Sequence, residues 1–302
     1  MTQQTPLPSQ FVIFIPLTIK NDLKVIKPMI SSIANQRIKH IRKLKDRKYR
    51  YEKGEYFTEG IRIVIEALEE SNDCVEIIAA RGLIKSTAAE NAIGKAISMG
   101  IPVIEVSDEV FFSLSSKDGP QGLAVVMKQN WIQLSDIHLP LNGIYLALYQ
   151  IADPGNLGTI IRTIDGMGGQ GVILLDQCTD PYDPSAVRAS MGTIFSKKII
   201  KTESNLFVEW KKREKIIITG TSDGAAVDYR QHVYAKNMIL LMGSEREGLP
   251  LHLFQACESI VSIPMLGKSD SLNLAVASSI VCMKFLTNKI CWLAKDNYDC
   301  IY

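Results

Sequence analysis

Residues 144–175 read IYLALYQIADPGNLGTIIRTIDGMGGQGVILL, and this stretch decides the fold. Ile144–Ile151 is a nearly unbroken apolar run of strand length. Asp153-Pro154-Gly155-Asn156 interrupts it, and Leu157–Met167 then repeats apolar residues at helical spacing. A cluster of glycines stops that helix, and Val172–Leu175 is a second short apolar strand. Strand, helix and strand at this spacing form a βαβ unit with parallel strands. Toward the C-terminus the alternation continues. Strands read at Ile216–Thr219, Met238–Met242 and Ser259–Ile263, and helices at Ser185–Phe195 and Leu249–Ala256. A last helix runs from about Leu272 to Phe285. Short, wholly apolar strands imply a mostly parallel sheet covered on both faces.

Toward the N-terminus a smaller α/β layer is legible. Gly60–Glu70 reads as an amphipathic helix, Val75–Ala80 as a strand, Ala88–Met99 as a helix stopped by Gly100, and Ile101–Val106 as a strand. The pattern breaks at Asp118-Gly119-Pro120-Gln121-Gly122 and resumes at Val125-Val126. Residues 128–142 are polar and mixed, with Pro140 and Asn142, as a linker would be. The expected division is an N-terminal extension over 1–30, a small domain over 31–127, a linker over 128–142 and a larger domain over 143–302.

The chain has 302 residues, 46% hydrophobic and 22% charged, with a formal net charge of +2. These values exclude a disordered or fibrous chain, and the length suits two domains. No apolar run reaches the roughly 18 residues a membrane helix needs. Phe11–Ile15 is apolar but short and lacks a basic flank, so it reads as part of the extension, with a signal peptide as the alternative. The cysteines, at positions 74, 178, 257, 282, 291 and 300, include no C-x-x-C pair. No metal site is expected, and free thiols in a reducing cytoplasm are.

The charge is unevenly placed. Nine basic residues lie between Arg37 and Lys53 (among them Arg37, Lys39, Arg42, Lys43 and Arg47), opposed by Asp46 and Glu52, which leaves +7 there and −5 for the rest. Such a cluster is the footprint of a polyanion partner. Ile38, Ile41 and Leu44 give one apolar stripe of a short helix, with the basic residues expected on its exposed arc. Tyr49, Tyr51, Tyr56 and Phe57 follow and could stack on unpaired bases. A solvated lysine-rich helix is the plain alternative.

Two nucleotide motifs fail on context. Gly166, Gly168 and Gly171 satisfy G-x-G-x-x-G, but they end a helix and precede a strand, the reverse of a dinucleotide fingerprint. Gly267-Lys268-Ser269 resembles the end of a P-loop, but Ser262 stands where the first glycine belongs and Pro264 removes a cradle N–H.

In parallel sheets ligands sit at the carboxyl ends of strands. Three loops therefore matter. After Ile151 come Asn156, a good helix N-cap, and Arg162, less than two turns on and expected roughly on the same side. Arg162 lies amid Ile160, Ile161 and Ile164, so it must find a partner or point outward. After Met242 comes Gly243-Ser244-Glu245-Arg246-Glu247-Gly248, where Gly243 would let a ligand approach the backbone. After Ile263 comes Pro264-Met265 and then Ser271-Leu272-Asn273. Ser271 could cap the last helix, and Asn273 in an apolar first turn points to a hydrogen-bonding task.

Together the motifs N-x-G-x-x-x-R, G-x-E-x-x-G and I-P-M…S-L-N-x-x-x-A resemble those of the SpoU (TrmH-like) RNA ribose 2′-O-methyltransferases of the SPOUT superfamily. Three motifs in order at the ends of expected strands are a specific signal. Ala186–Gly192, Ser31–Asp46, Tyr56–Gly60 and Pro120–Gly122 extend the resemblance over about residues 31–288. It implies a C-terminal SPOUT domain with a trefoil knot, preceded by a small α/β substrate-binding domain. It implies S-adenosylmethionine as cofactor, held near Gly243, Ile263 and Leu272, with Met242, Met265 and Leu266 as apolar walls. It implies a catalytic set of Arg162, Asn156, Glu245, Ser271 and Asn273, with Arg162 activating the ribose hydroxyl. Arginine stays protonated in proteins, so gripping the adjacent phosphate is an alternative role. The resemblance also implies an RNA partner, ribosomal rather than transfer RNA, and a homodimer through the C-terminal domain. Rival readings are a non-catalytic RNA-binding or ribosome-assembly protein and a methyltransferase acting on a base nitrogen.

Overall fold

The computed structural model describes residues 29–116, 118–140 and 143–298, with side chains as far as residue 290. The expected extension over 1–30, Phe11–Ile15 included, lies outside these residues apart from its last two. Ile30 belongs to the small domain, because its N–H donates to Glu105 O at 2.9 Å and its carbonyl accepts from Ser107.

The small domain contains α1 (Gln36–Lys43), α2 (Arg47–Lys53), β1 (Glu55–Glu59), α3 (Ile61–Glu70), β2 (Cys74–Ala79), α4 (Thr87–Ser98), β3 (Val103–Glu105), α5 (Asp108–Leu114) and β4 (Leu123–Lys128). Its sheet has the order β1-β4-β2-β3. β4 lies antiparallel to β1 and β2, and β2 pairs in parallel with β3. Asn35 and Asp46 cap the two basic helices by accepting from Arg37 N and Tyr49 N. The apolar stripe Ile38, Ile41 and Leu44 is buried, as its spacing requires.

The larger domain contains β5 (Ile144–Tyr149), α6 (Pro154–Gly166), β6 (Gly171–Leu175), α7 (Pro184–Ala189), β7 (Lys198–Thr202), α8 (Ser204–Glu214), β8 (Ile218–Thr221), β9 (Val227–Asp228), β10 (Met238–Met242), α9 (Leu251–Gln255), β11 (Ser259–Ser262) and α10 (Leu274–Tyr298). The sheet order is β7-β6-β5-β10-β8-β11-β9. Every pairing in it is parallel. The chain starts at β5, builds outward through β6 and β7, and then returns to the other side of β5. The switch in direction falls between β5 and β10, where such sheets bind ligands.

Several expectations are corrected. The helix expected over Ser185–Phe195 stops at Ala189. Met191 and Gly192 take φ of 54° and 94°, and a 3-10 turn follows. A Cβ on Gly192 would lie 2.8 Å from Glu66 Cβ, so this turn packs tightly on α3. The last helix starts at Leu274, two residues later than expected, for a reason given below. β7 and α8 escaped the sequence reading because β7 (KIIKT) is an edge strand with exposed lysines and no long apolar run. The linker is not a solvated tether. Ile132 pairs with Ile200 on the β7 edge, and Ile137 is buried.

The stacking residues are also redistributed. Tyr56 and Phe57 are core residues, 2% and 5% exposed, and Tyr49 is half-buried. Strand alternation exposes neither of the two, because β1 is buried on both faces. Only Tyr51 stands free, at 75% exposure. Nor do all the basic residues lie on an exposed arc. Arg37 pairs with buried Glu76 at 2.6 Å, and Arg42 donates to Ile33 O and Ser113 Oγ. Burial raises the Glu76 carboxyl's pKa, which the Arg37 bond partly opposes. Arg50 is 1% exposed and reaches Asp180 in the larger domain at 2.7 Å. Lys39, Lys43, Lys48 and Arg47 remain on the surface. No helix among the described residues is long and apolar enough to cross a membrane.

Candidate active site

The site follows from strand order. β5 and β10 are neighbours in register, with Leu148 opposite Met242, so the loops that follow them leave the sheet side by side. In the first loop Asp153, not Asn156, caps α6 by accepting from Asn156 N at 2.6 Å. Pro154 takes the first helical position, where a missing N–H is harmless. Asn156 is thereby released from capping and set in the first turn, where its side-chain amide can bond to the neighbouring loops. In the second loop Ser244 and Gly248 exchange both backbone hydrogen bonds, at 3.0 and 3.1 Å. A Cβ on Gly243 would lie 2.4 Å from Gly248 C, so this glycine is required by its own loop's closure. The closed turn presents Glu245 to solvent.

Asn156 Nδ2 donates to Glu245 Oε1 at 2.5 Å, and Asn156 Oδ1 accepts from Asn273 Nδ2 at 3.0 Å. Asn273 Oδ1 in turn accepts from Ala275 N at 2.9 Å and Val276 N at 3.3 Å, which caps α10. This cap starts the last helix at Leu274 and does the work that Ser271 was offered for. It also fixes every amide in the chain. The Asn273 oxygen faces the helix amides, so its nitrogen must donate. Asn156 must then accept on one side and donate on the other, and Glu245 must accept as a carboxylate. All three loops are tied by two side-chain bonds.

The remaining sequence candidates are placed differently. Ser271 is exposed, and among the described residues its hydroxyl bonds only to Asp270, at 3.4 Å. Arg162 is exposed and makes no hydrogen bond or ion pair among the described residues. The expectation that it shares a side with Asn156 is corrected by helix geometry. At about 100° per residue, six residues carry it roughly 120° around α6. The face next to α10 belongs to Thr163, whose hydroxyl meets Ser279 Oγ at 2.9 Å.

Of the apolar candidates, Met242 is buried in the core, where Thr221 Oγ1 donates to its sulfur at 3.5 Å. Ile263 and Met265 are half-buried, while Leu266 and Leu272 are exposed at 100% and 37%. Between Pro264 and Leu272 the loop makes no backbone–backbone hydrogen bond among the described residues, and its amides and carbonyls stand beside apolar side chains. That is the lining a flat heteroaromatic ring with polar edges takes, so these residues fit the adenosyl group of the cofactor implied by the sequence. Among the described residues no cluster of His, Cys, Asp or Glu could hold a metal ion. Beside the site, burial raises the Tyr149 hydroxyl's pKa, and Asp176 and Glu247 add to the shift.

Asn273→Asp separates the two tasks of that residue. The carboxylate still caps α10, so thermal stability is expected to stay within about 0.5 kcal/mol. The donor to Asn156 is lost and a second anion faces Glu245, so turnover is expected to fall. Asn273→Ala should lose both turnover and about 1 kcal/mol of stability. Equal losses in the two variants would contradict this division.

Residues 143–283 match the SpoU rRNA Methylase family, and residues 35–125 match the MRM3-like substrate binding domain. A 23S rRNA (guanosine(2553)-2′-O)-methyltransferase, RlmP of Bacillus subtilis (strain 168), is 28% identical over 252 residues, which is 83% of this chain and 96% of that protein. A 23S rRNA (uridine(2479)-2′-O)-methyltransferase of Streptomyces viridochromogenes is 32% identical over 143 residues, 45% of this chain and 50% of that one. Among solved structures, the AdoMet-bound rRNA methyltransferase from Sinorhizobium meliloti superposes with a TM-score of 0.80 at 34% identity, covering 86% of this chain and 98% of that one. With two matched segments that follow the two-domain division and a relative aligned over nearly its whole length, this chain belongs to the SpoU rRNA methylase family.

Proposed function

We propose that the chain is an S-adenosylmethionine-dependent methyltransferase acting on a ribose 2′-hydroxyl of ribosomal RNA. The observation that carries this reading is the Asn273–Asn156–Glu245 chain, which draws the loops after β5, β10 and β11 into one crevice. The cofactor would rest on Gly243, Ile263, Met265 and Leu272, largely through backbone groups, and supplies an electrophilic methyl when bound. The protein's part is to hold a weakly acidic hydroxyl in line and to favour its loss of a proton. Positioning of this kind is worth about 7–11 kcal/mol. Asn156 and Asn273 fix the Glu245 carboxylate, and Ser271 stands at the crevice mouth. Arg162 supplies a free positive charge to grip the neighbouring phosphate and stabilise the developing alkoxide.

Arg162 is exposed and stands roughly 120° around α6 from Asn156, which fits a homodimer in which it serves the second copy. Val276, Met283 and Ile290 of α10 are all exposed and stand seven residues apart, a single apolar stripe along one helix. Leu251 and Phe254 on α9 are exposed as well. A second copy of the chain can cover this stripe about a two-fold axis. Light scattering is expected to give twice the chain mass, and a monomeric mass would count against the shared site. The family's trefoil knot and the division at 128–142 belong to the same reading. So does a cytoplasmic location, consistent with Cys74, Cys178, Cys257 and Cys282 being free thiols.

The small domain would grip RNA phosphates through Lys39, Lys43 and Lys48. Log affinity should fall linearly with log salt, and neutralising all three should reduce the slope by about two units. Arg42, expected from sequence to share this role, is tied to Ile33 O and Ser113 and is a poorer choice for the test. The reading as a whole is tested by methyl transfer from labelled cofactor to ribosomal RNA, followed by nucleoside analysis. A 2′-O-methylated nucleoside supports it. A base-methylated product or no transfer overturns it.

A further inference from the structure

Two strands away from Asn156, at the carboxyl ends of β6 and β7, a cavity of about 810 Å³ opens between the two domains. Its size is that of a small-molecule site, and the crevice described above does not account for it. Tyr51 stands at its edge with a free ring. Trp131 is half-buried in its wall, set edge-on against Tyr182 at 5.2 Å with its indole N–H given to Gln129. Arg47 donates one N–H to Cys178 O at 2.9 Å and keeps the others, and Lys201 makes no ion pair or hydrogen bond among the described residues. Asp176 accepts from Ser204 N at 2.7 Å through one carboxylate oxygen, and the second has no hydrogen-bond partner among the described residues. Glu203 adds another carboxylate, and Asp180 is taken up by Arg50.

Two free cations beside carboxylates and two aromatic rings do not suit a dense polyanion. They suit one phosphate joined to a base that offers donors. We propose that this cavity holds one unpaired nucleotide of the substrate RNA, a neighbour of the methylated one. Its base stacks on Tyr51 or Trp131, its amino edge donates to Asp176, and its phosphate lies between Arg47 and Lys201. Stacking on a free ring binds any base. A carboxylate acceptor selects bases with an exocyclic amino group, cytosine and adenine and also guanine, whose N1–H and N2–H2 stand side by side, over uracil. Uracil flanks its single N–H with two carbonyls that the carboxylate repels. β7 lies about 10 Å from β5 at ordinary strand spacing, so one RNA strand can reach both places. The cavity would thus set sequence preference beside the reacting ribose, and the inference rests on the RNA-methylating reading.

The test uses fluorescent hexanucleotides rC6, rA6 and rU6 titrated into the full chain. The wild type is expected to bind rC6 and rA6 about tenfold more tightly than rU6. Asp176→Asn keeps an oxygen for Ser204 and tolerates the left-handed φ of 62° at this position, so the fold should survive. It should abolish the preference. Tyr51→Ala should weaken all three probes by about tenfold. Equal binding of the three probes by the wild type, binding of none, or an unchanged preference in Asp176→Asn would overturn the proposal. Methyl transfer to ribosomal RNA by the wild type is measured alongside. Transfer without base preference sinks only the cavity, and base preference without transfer sinks only the enzyme.

Discussion

Arg162→Ala is expected to lower methyl transfer to ribosomal RNA by about 10²–10³-fold while leaving cofactor affinity and thermal stability unchanged. The magnitude is that of removing one preorganised donor from a developing oxyanion. The stability expectation comes from the structure. Arg162 is exposed and bonds to nothing among the described residues, so its loss strands no partner and should stay within about 0.5 kcal/mol. Arg162→Lys keeps the charge but loses the planar fork that fits phosphate oxygens, so it should recover part of the rate. Single-turnover kinetics with calorimetric cofactor binding decides the matter. Full turnover in Arg162→Ala would remove the residue from the mechanism. Under the dimer reading, mixing inactive Arg162→Ala chains with inactive Glu245→Ala chains should restore part of the activity, because some mixed dimers carry one intact site.

Arg50→Met is expected to destabilise the protein by about 3–5 kcal/mol, the penalty of removing one partner from a buried ion pair. Arg50 is 1% exposed and spends its donors completely. Nε and Nη2 reach Asp180 at 2.8 and 2.7 Å, Nη1 donates to Leu44 O and Lys45 O, and Nη2 also meets Asp183 at 3.4 Å. Around it Tyr56 packs on Tyr182 at 4.8 Å. The side chain therefore pins the basic helix α2 to the larger domain. Its loss leaves Asp180 as an unpaired, nearly buried anion. The double variant Arg50→Met with Asp180→Leu should regain much of the loss, since replacing both members of such a pair by apolar groups is often neutral. Chemical denaturation reads both results. A loss under about 1 kcal/mol in the single variant would show that the two domains are held by other contacts.

Arg50 also shows where sequence reading stops. In the sequence it is one of nine basic residues and indistinguishable from Lys48, which is 86% exposed at its side chain. Which of them faces water depends on Asp180, 130 residues away. The same limit applies to Tyr56 and Phe57. They read as stacking residues and are buried, Tyr56 against Tyr182 of the larger domain and Phe57 in the small domain's own core with Ile38, Ile41 and Phe111.

What the sequence determined by itself was everything set by local periodicity and by short-range turn chemistry. The apolar runs placed β5, β6 and β10, and their lengths made the sheet parallel. The glycines at 166, 168 and 171 were rightly set aside, since they close α6 and open β6. Asn273 was legible because a polar side chain stood in an apolar first turn, and Asn156 and Glu245 because they stand in the motifs that carry the family resemblance. The packing of the whole chain was needed to set β5 beside β10 and to let Asn273 cap α10 while its amide reaches Asn156. Those facts depend on pairings between residues roughly a hundred positions apart. Their free energy comes from burying surfaces against each other, and no window of neighbouring residues contains it.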